Sequence, residues 1–377
     1  MALGDGGGVP LGDGTRAVHA GLPEPRKNEP LLPGPTFASL YHLPGEPSGP
    51  FTYGRYANPT WARYEAAIGE LEGGPAIAFA SGMAAACAIL LPALGEGNLL
   101  VLPADGYPAV RAVAHEQLAP RGVTLREVPA GPGFIDAVDG ASLVWIESPS
   151  NPRLEVCDIA ETCRRAHAAG ALVAVDNTLA TPLGQRPLEL GADFSMSSDT
   201  KYVTGHSDLL LGHVAARDES LAKRLLDWRS TTGAVPGPFE TWLAHRSLAT
   251  LDVRLERQCA TALALALMLG ARAGVTGLRY PGLPDDPAHE LAAAQMSRFG
   301  AIVCFDLGSR ERAERFLAAC ELVAEATSFG GVHSTAERRS RWEGNEVGEG
   351  FVRMSVGCET EADLLADVAR ALDAAAG

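Results

Sequence analysis

Between residues 61 and 235 the chain alternates short, largely apolar runs with stretches of helical character, and this alternation limits its fold more than any other feature. The runs are Ala76–Ala80, Leu99–Leu102, Ser142–Ile146 and Ala171–Val175, and a fifth, Gly191–Met196, follows. A strand that is apolar at every position has no face it can leave in water, so helices must cover both faces. Such strands, separated by patterns like Asp158–Ala169, define an α/β arrangement built on a mostly parallel sheet. Ala76–Leu94 is apolar enough to raise the question of a membrane span. Ser81-Gly82 and Pro92 interrupt it and no aromatic or basic anchors flank it, so it reads as a strand (Ala76–Ala80), a turn and a buried helix (Met83–Leu91), with no membrane span.

Residues 1–60 have a different texture. Pro or Gly recurs every few positions, as in Pro30-Leu31-Leu32-Pro33-Gly34-Pro35, which excludes long helices and central strands. The aromatics Phe37, Tyr41, Phe51, Tyr53 and Tyr56 suit packing better than solvation, so this arm is expected to lie against something. Pro236-Gly237-Pro238 ends the alternation. Glu240–Leu269 then reads as one long or two stacked helices, followed by a strand near Gly300–Leu307, a helix Glu311–Ala319 and a closing helix Glu361–Ala375. The expected division is an arm (1–60), a large domain (61–248) and a smaller α+β C-terminal domain (249–377).

A chain of 377 residues buries a sizeable core without covalent help. Its formal net charge of −15 repels phosphate backbones and anionic lipid heads, which argues against nucleic-acid and membrane-surface partners. The seven cysteines form no Cys-x-x-Cys pair, so neither a zinc ribbon nor a disulfide scaffold is indicated and no metal is expected. Met1–Pro10 lacks the basic and apolar regions of a signal peptide, and free thiols suit a reducing cytoplasm.

Ligands of open parallel sheets bind beyond the carboxyl ends of the strands, so the residues after each run carry the functional reading. Ser81-Gly82-Met83 follows the first strand and opens a helix, where unpaired backbone N–H groups face any anion. Neither Gly-x-Gly-x-x-Gly nor a Walker loop is present there, which sets aside a nicotinamide dehydrogenase. Asn151 stands at the rim after the third strand and Asp176 at the end of the fourth. Ser197-Ser198-Asp199-Thr200-Lys201-Tyr202 follows the fifth run. A lysine in a partly desolvated pocket has a lowered pKa and condenses with an aldehyde. An anion cradle, a strand-end carboxylate and hydroxyls beside a lysine together are what pyridoxal 5'-phosphate requires.

The chain resembles the Cys/Met-metabolism family of fold-type I pyridoxal-phosphate enzymes. The resemblance runs from Thr15-Arg16-Ala17-Val18-His19-Ala20-Gly21 to the last helix. Its most specific stretch is Asp176-Asn177-Thr178, Thr181-Pro182, Gln185 to Asp193, Thr200-Lys201-Tyr202 and Gly205-His206-Ser207-Asp208. The resemblance implies that Lys201 is the Schiff-base lysine and proton shuttle and that Asp176 pairs with the pyridine nitrogen. It further implies that Ser81, Gly82, Met83, Ser198 and Thr200 hold the phosphate and that Tyr107 is the catalytic-site tyrosine stacked on the ring. Tyr53 and Arg55 would reach the phosphate of a neighbouring subunit in a homotetramer, which would explain the arm. Arg353, with Asn151 and Ser328 beside it, would bind the α-carboxylate of a small sulfur amino acid. The activity implied is a carbon–sulfur lyase cleaving cystathionine by γ-elimination to cysteine, 2-oxobutanoate and ammonia. The alternatives are cystathionine γ-synthase or another lyase of sulfur amino acids.

Two departures bear on specificity. His333 follows Ser328-Phe329-Gly330-Gly331-Val332 where the family often carries an acid, and Ala336-Glu337-Arg338-Arg339 replaces the usual His-Pro-Ala-Ser-Met-Thr-His. In these respects the chain is most like actinobacterial members called cystathionine γ-lyase. The segment after Tyr107 lacks the cysteine typical of methionine γ-lyases. Arg338 and Arg339 read as a solvated basic face, with a second-carboxylate site as the alternative.

Overall fold

The computed structural model describes residues 11–376 apart from 343 and 345. The Gly-rich stretch Met1–Pro10 lies outside the described residues. After helix α1 (Asp13–His19) the arm has no regular element beyond a single bridge between Leu40 and Tyr53. Helix α2 (Pro59–Glu72) begins with Pro59 at its first position. There Asn58 caps the end, accepting from the Thr60 N–H at 2.8 Å. It stops at Gly73, whose φ of 81° a side chain would resist.

The alternation then appears as β1 (Ala76–Phe79), α3 (Gly82–Ala93), β2 (Leu99–Pro103), α4 (Pro108–Val113), β3 (Thr124–Val128), β4 (Leu143–Glu147), α5 (Ile159–Ala168), β5 (Leu172–Asp176), β6 (Phe194–Ser197) and β7 (Gly212–Ala216). These seven strands form one sheet in the order β1-β7-β6-β5-β4-β2-β3. Only β7 runs against the others, so the sheet is mostly parallel as expected. The five apolar runs coincide with β1, β2, β4, β5 and β6. Two strands carry no such run. β3 is a half-exposed edge strand (Thr-Leu-Arg-Glu-Val), and β7 is fully buried but includes Gly212 and His213.

Helices α6 (Glu219–Thr232), α7 (Pro238–Leu248) and α8 (Leu251–Gly270) follow, so the stretch 240–269 is two helices. The rest comprises β8 (Thr276–Arg279), α9 (His289–Gln295), β9 (Ile302–Asp306), α10 (Arg310–Ala319), β10 (Ala324–Glu325), β11 (Thr335–Arg338), β12 (Phe351–Ser355) and α11 (Glu361–Ala376). Its strands make a second sheet, β10-β11-β12-β9-β8, antiparallel except at β10. α11 presents Leu364, Val368, Ala371, Leu372 and Ala375, the i, i+4, i+7 spacing of a one-sided apolar stripe, to the cluster that includes Leu265, Phe305 and Phe316.

One buried cation ties α8 to the turn after β6. Arg254 donates to the carbonyls of Tyr202 (2.7 Å), Val203 (3.1 Å) and Ser247 (3.1 Å). Gly205 lies against this guanidinium so closely that a Cβ would overlap it, and its φ is 69°. The turn carrying Lys201 is thereby fastened to the first turn of α8. Arg254→Met removes all three donors and leaves buried carbonyls unpaired. It should cost about 2–4 kcal/mol, read as a lower urea midpoint with little change in slope.

Candidate active site

A cavity of about 350 Å³ opens where the carboxyl ends of β1, β2, β4, β5 and β6 meet one edge of the second sheet. Lys201 stands at its centre. The Lys201 Nζ donates to Ser328 Oγ at 2.8 Å and lies 5.3 Å from the centre of the Phe329 ring. Burial, then the charge of Arg353, lowers the amine to about 8, although Asp176 pulls the other way. About a tenth of the amine is therefore an uncharged nucleophile at pH 7, far more than for an ordinary lysine.

The anion cradle is built from small residues in contact. Ser81 caps α3 by accepting from the Ala84 N–H at 3.1 Å. A Cβ on Gly82 would lie 2.6 Å from Ser198 Cβ and 2.7 Å from Ser198 Oγ, so only glycine lets the two turns approach. The first N–H groups of α3, at Gly82 and Met83, have no carbonyl a turn earlier within the helix and meet the cavity at its positive end. Thr200 completes this wall. Its hydroxyl accepts from Leu211 N at 3.1 Å and donates to Leu211 O at 3.2 Å.

On the opposite wall Asp176 accepts from Thr178 N at 3.0 Å and from the Thr178 hydroxyl at 2.5 Å. That same hydroxyl accepts from Ser198 N at 2.9 Å, so Thr178 joins the acid to the cradle. Burial pushes Asp176 above the usual carboxylate range, and the Thr178 bonds and Lys201 only partly offset it. A buried carboxylate in that condition is completed by a cation such as a ring N–H⁺. Glu147 ends β4 in register with Asp176. Burial and the Asp176 charge push it up as well, while its two oxygens accept from Tyr107 N (2.6 Å) and Asn151 N (2.7 Å).

Arg353, on β12 and 3% exposed, donates to Asn151 Oδ1 (2.6 Å), Ser328 O (2.8 Å) and Glu337 Oε1 (2.6 Å). Arg339 donates to the same Glu337 oxygen at 2.7 Å. Three guanidinium groups thus share one carboxylate, since Arg341 donates to its other oxygen at 3.1 Å, which leaves this side of the cavity cationic and suited to bidentate binding of an anion.

Of the residues singled out in the sequence, Ser81, Gly82, Met83, Tyr107, Asn151, Asp176, Ser198, Thr200, Lys201, Ser328 and Arg353 all line this cavity. Tyr53 and Arg55 do not. The Arg55 guanidinium lies over the rings of Tyr53 and Tyr56 and donates to Ser230 O at 2.5 Å. The solvated basic face expected at Arg338 and Arg339 is corrected. Both are buried, Arg338 pairs with Glu314 and Glu349, and Arg339 is in the cavity wall. His333 is exposed and outside the cavity lining. Sequence reasoning missed Glu147, Thr178 and Glu337. Glu147 was within reach, since it ends a buried strand just as Asp176 does. Nothing local marked Glu337, which matters only through its pairing with Arg353.

A buried, partly neutral lysine between an anion cradle and a strand-end carboxylate, with an arginine opposite, defines an enzyme that captures a carbonyl cofactor and works on an amino acid. The chain matches the family of Cys/Met metabolism PLP-dependent enzymes over residues 14–373 and belongs to it. It is 60% identical to a Streptomyces coelicolor protein named "Putative cystathionine gamma-lyase", over 96% of this chain and 94% of that one. It is 38% identical to the cystathionine gamma-synthase of Mycobacterium tuberculosis, over 96% and 97% of the two chains. Its fold superposes with a TM-score of 0.93 on cystathionine gamma-synthase from Xanthomonas oryzae solved with cystathionine, at 32% identity and 98% and 99% coverage. The cofactor is pyridoxal 5'-phosphate.

Since the neutral amine attacks the aldehyde, cofactor capture by the apoprotein should accelerate about tenfold per pH unit below the amine's pKa and level off above it. The change of slope is expected at about pH 8. Mixing apoprotein with pyridoxal phosphate and following the visible absorbance measures it. Lys201→Ala should give no such absorbance, and a rate flat across pH would contradict the assignment.

Proposed function

We propose that this enzyme is a carbon–sulfur lyase that opens cystathionine by γ-elimination, consuming water and releasing cysteine, 2-oxobutanoate and ammonia. The observation that carries the reading is the double use of Ser328. Its hydroxyl accepts from Lys201 while its carbonyl accepts from Arg353. An amino acid whose carboxylate is forked by Arg353 therefore has its Cα–H beside the Lys201 amine. The 60% identical relative named for this activity supports it.

Arg353 binds the α-carboxylate, with Asn151 and Glu337 fixing the plane of the guanidinium. Lys201 removes the Cα proton and, once it has given that proton up, takes one from Cβ and delivers it to the departing sulfur. When bound, pyridoxal phosphate supplies the electron sink for the pair released at Cα. Asp176 would offer its buried carboxylate to the ring nitrogen, Ser81, Gly82, Met83, Ser198 and Thr200 would hold the phosphate, and Tyr107 would stack on the ring.

The reading extends to the assembly. The arm exposes Leu31, Phe37, Leu40, Tyr53 and Tyr56, a set of large apolar groups that a second copy of the chain would cover. The functional unit is a homotetramer in the cytoplasm in which Tyr53 and Arg55 reach the phosphate of a neighbouring subunit. Seven unpaired thiols suit that compartment. The chain divides into an arm (1–60), a cofactor domain (61–248) and a C-terminal domain (249–377), and the two sheets fall within the latter two.

The test is 2-oxobutanoate release from cystathionine, methionine, homocysteine, cysteine and acylhomoserines. Cystathionine should exceed methionine in kcat/KM by at least about tenfold. No release from cystathionine, with cysteine instead replacing the acyl group of an acylhomoserine, would establish the synthase reading suggested by the 38% identical relative. Separately, Arg55→Ala should weaken cofactor retention about tenfold, measured by fluorescence titration of the apoprotein. Wild-type affinity would sink the shared-site reading.

A further inference from the structure

Behind the Lys201 turn, away from the cavity, lies a buried charged cluster that the lyase reading does not use. His213, on β7 and fully buried, faces a carboxylate at each ring nitrogen. Its Nδ1 is 2.6 Å from Asp199 Oδ1 and its Nε2 is 3.0 Å from Glu72 Oε1. The other Asp199 oxygen accepts from the Tyr64 hydroxyl at 2.7 Å. Asp199 and Glu72 are themselves completely enclosed. An imidazole between two acceptor oxygens satisfies both only when both nitrogens carry protons. Burial alone would lower its pKa, but the two carboxylates reverse this and hold the ring charged, at about 10. The other charged groups close by are Glu65, whose charge acts on Tyr64, and Arg229, which pairs with Glu65 and lies over the Trp61 ring.

The location gives the cluster its meaning. Asp199 lies in the turn that presents Ser198, Thr200 and Lys201, and its side chain points away from the cavity into this cluster. The backbone of the turn is held by Lys201 N to Ser198 O (3.1 Å) and Thr204 N to Asp199 O (3.0 Å). Those bonds shape the turn, while Thr178 and Leu211 tie its start and Arg254 its far end to neighbouring elements. His213 adds the anchor at Asp199, because β7 sets it opposite Ser197 on one side and Ala78 on the other. Glu72 closes the last turn of α2 behind it.

We propose that His213 is a positioning residue for the lysine turn. As a protonated ring clamped between Asp199 and Glu72, it locks the Asp199 side chain and so sets where Lys201 and the cradle hydroxyls meet the cavity. It touches neither substrate nor cofactor and acts through Asp199. The inference rests on Lys201 being the cofactor lysine, whatever the substrate proves to be.

The experiment uses the cofactor-loaded enzyme with His213→Leu and His213→Asn, the latter retaining a donor toward Asp199. The readouts are the pH midpoint of the visible absorption, kcat with KM, and the melting temperature of the apoprotein. Removing a buried cation near the lysine makes protonation there easier. His213→Leu should therefore move the midpoint upward by about half a pH unit and lower kcat about tenfold with KM within about twofold, while His213→Asn, equally uncharged, keeps the shifted midpoint but recovers most of kcat. A lower melting temperature with wild-type midpoint and kcat in His213→Leu would overturn the proposal. If that variant fails to fold, Tyr64→Phe, which removes one donor to Asp199 and keeps the ring, must give a smaller loss of kcat with KM within about twofold, and an unmoved kcat there overturns it equally. Loss of all absorption in Lys201→Ala, with any substrate profile, leaves the test interpretable even if cystathionine is not cleaved.

Discussion

Ser328 is the point at which the two sheets become one site. The lysine belongs to the turn after β6 in the larger sheet, and the arginine belongs to β12 in the smaller one. Ser328 holds both, through its hydroxyl and its carbonyl respectively. Its φ is 78°, a conformation that costs a residue with a side chain of order 1 kcal/mol or more. The strain is offset because the left-handed backbone turns the carbonyl toward Arg353 while the hydroxyl faces Lys201. The following Gly330 is equally constrained, since its Cβ would lie 2.6 Å from Tyr202 N. The Ser328–Gly330 loop therefore sits tightly on the lysine turn, and distance between proton-transfer group and carboxylate fork is set by backbone contact rather than by long flexible side chains.

Charge follows the same economy. The protein carries a net −15, yet the cavity wall gathers Lys201, Arg339 and Arg353 against Glu147 and Asp176. Buried charges are costly alone and tolerable in hydrogen-bonded sets, and each member here belongs to such a set. Arg353 and Arg339 share Glu337, whose carboxyl stays below its usual range because those partners and Trp342 outweigh the effect of burial. The result is a fixed positive region that an acidic exterior does not cancel, because attraction at contact distance in a dry pocket exceeds the screened field of surface carboxylates.

The larger sheet was legible in the sequence to the extent that its strands were apolar on both faces. β1, β2, β4 and β5 satisfy that condition but for the terminal acids of β4 and β5, and β6 does so only in part, since Phe194 and Met196 alternate with Ser195 and Ser197. β7 does not, because His213 interrupts it, and the residue becomes compatible with a buried strand only once Asp199 and Glu72 neutralise it from distant parts of the chain. The carboxyl-end rule located Ser81, Asp176 and Lys201, and the family resemblance added Arg353, whose neighbours in the sequence say nothing of Asn151 or Ser328. Arg339 shows the opposite limit. Two adjacent arginines read as solvated because their partners, Glu337 and Glu349, are acceptable surface residues too. Burial at 339 follows from the close of β11 against β12, a pairing between segments that sequence patterning alone does not register.

The division between sheets also accounts for how one architecture serves several reactions. The groups suited to an aldehyde, a ring nitrogen and a phosphate come from strand ends of the larger sheet. The groups that meet the amino acid's carboxylate and face its side chain come from the loop at 327–329 and from β11 and β12. The two sets meet at few points: Ser328, the Gly330 contact, the Arg353–Asn151 bond and the charge that Arg353 lays on Lys201. A chain can therefore share a fold at a TM-score of 0.93 with a synthase solved with cystathionine while differing in what it does to the same intermediate. In this chain Glu337 with its three arginines, and Phe329 against Lys201, lie entirely on the second side, and the groups around Lys201, Asp176 and Ser81 lie on the first.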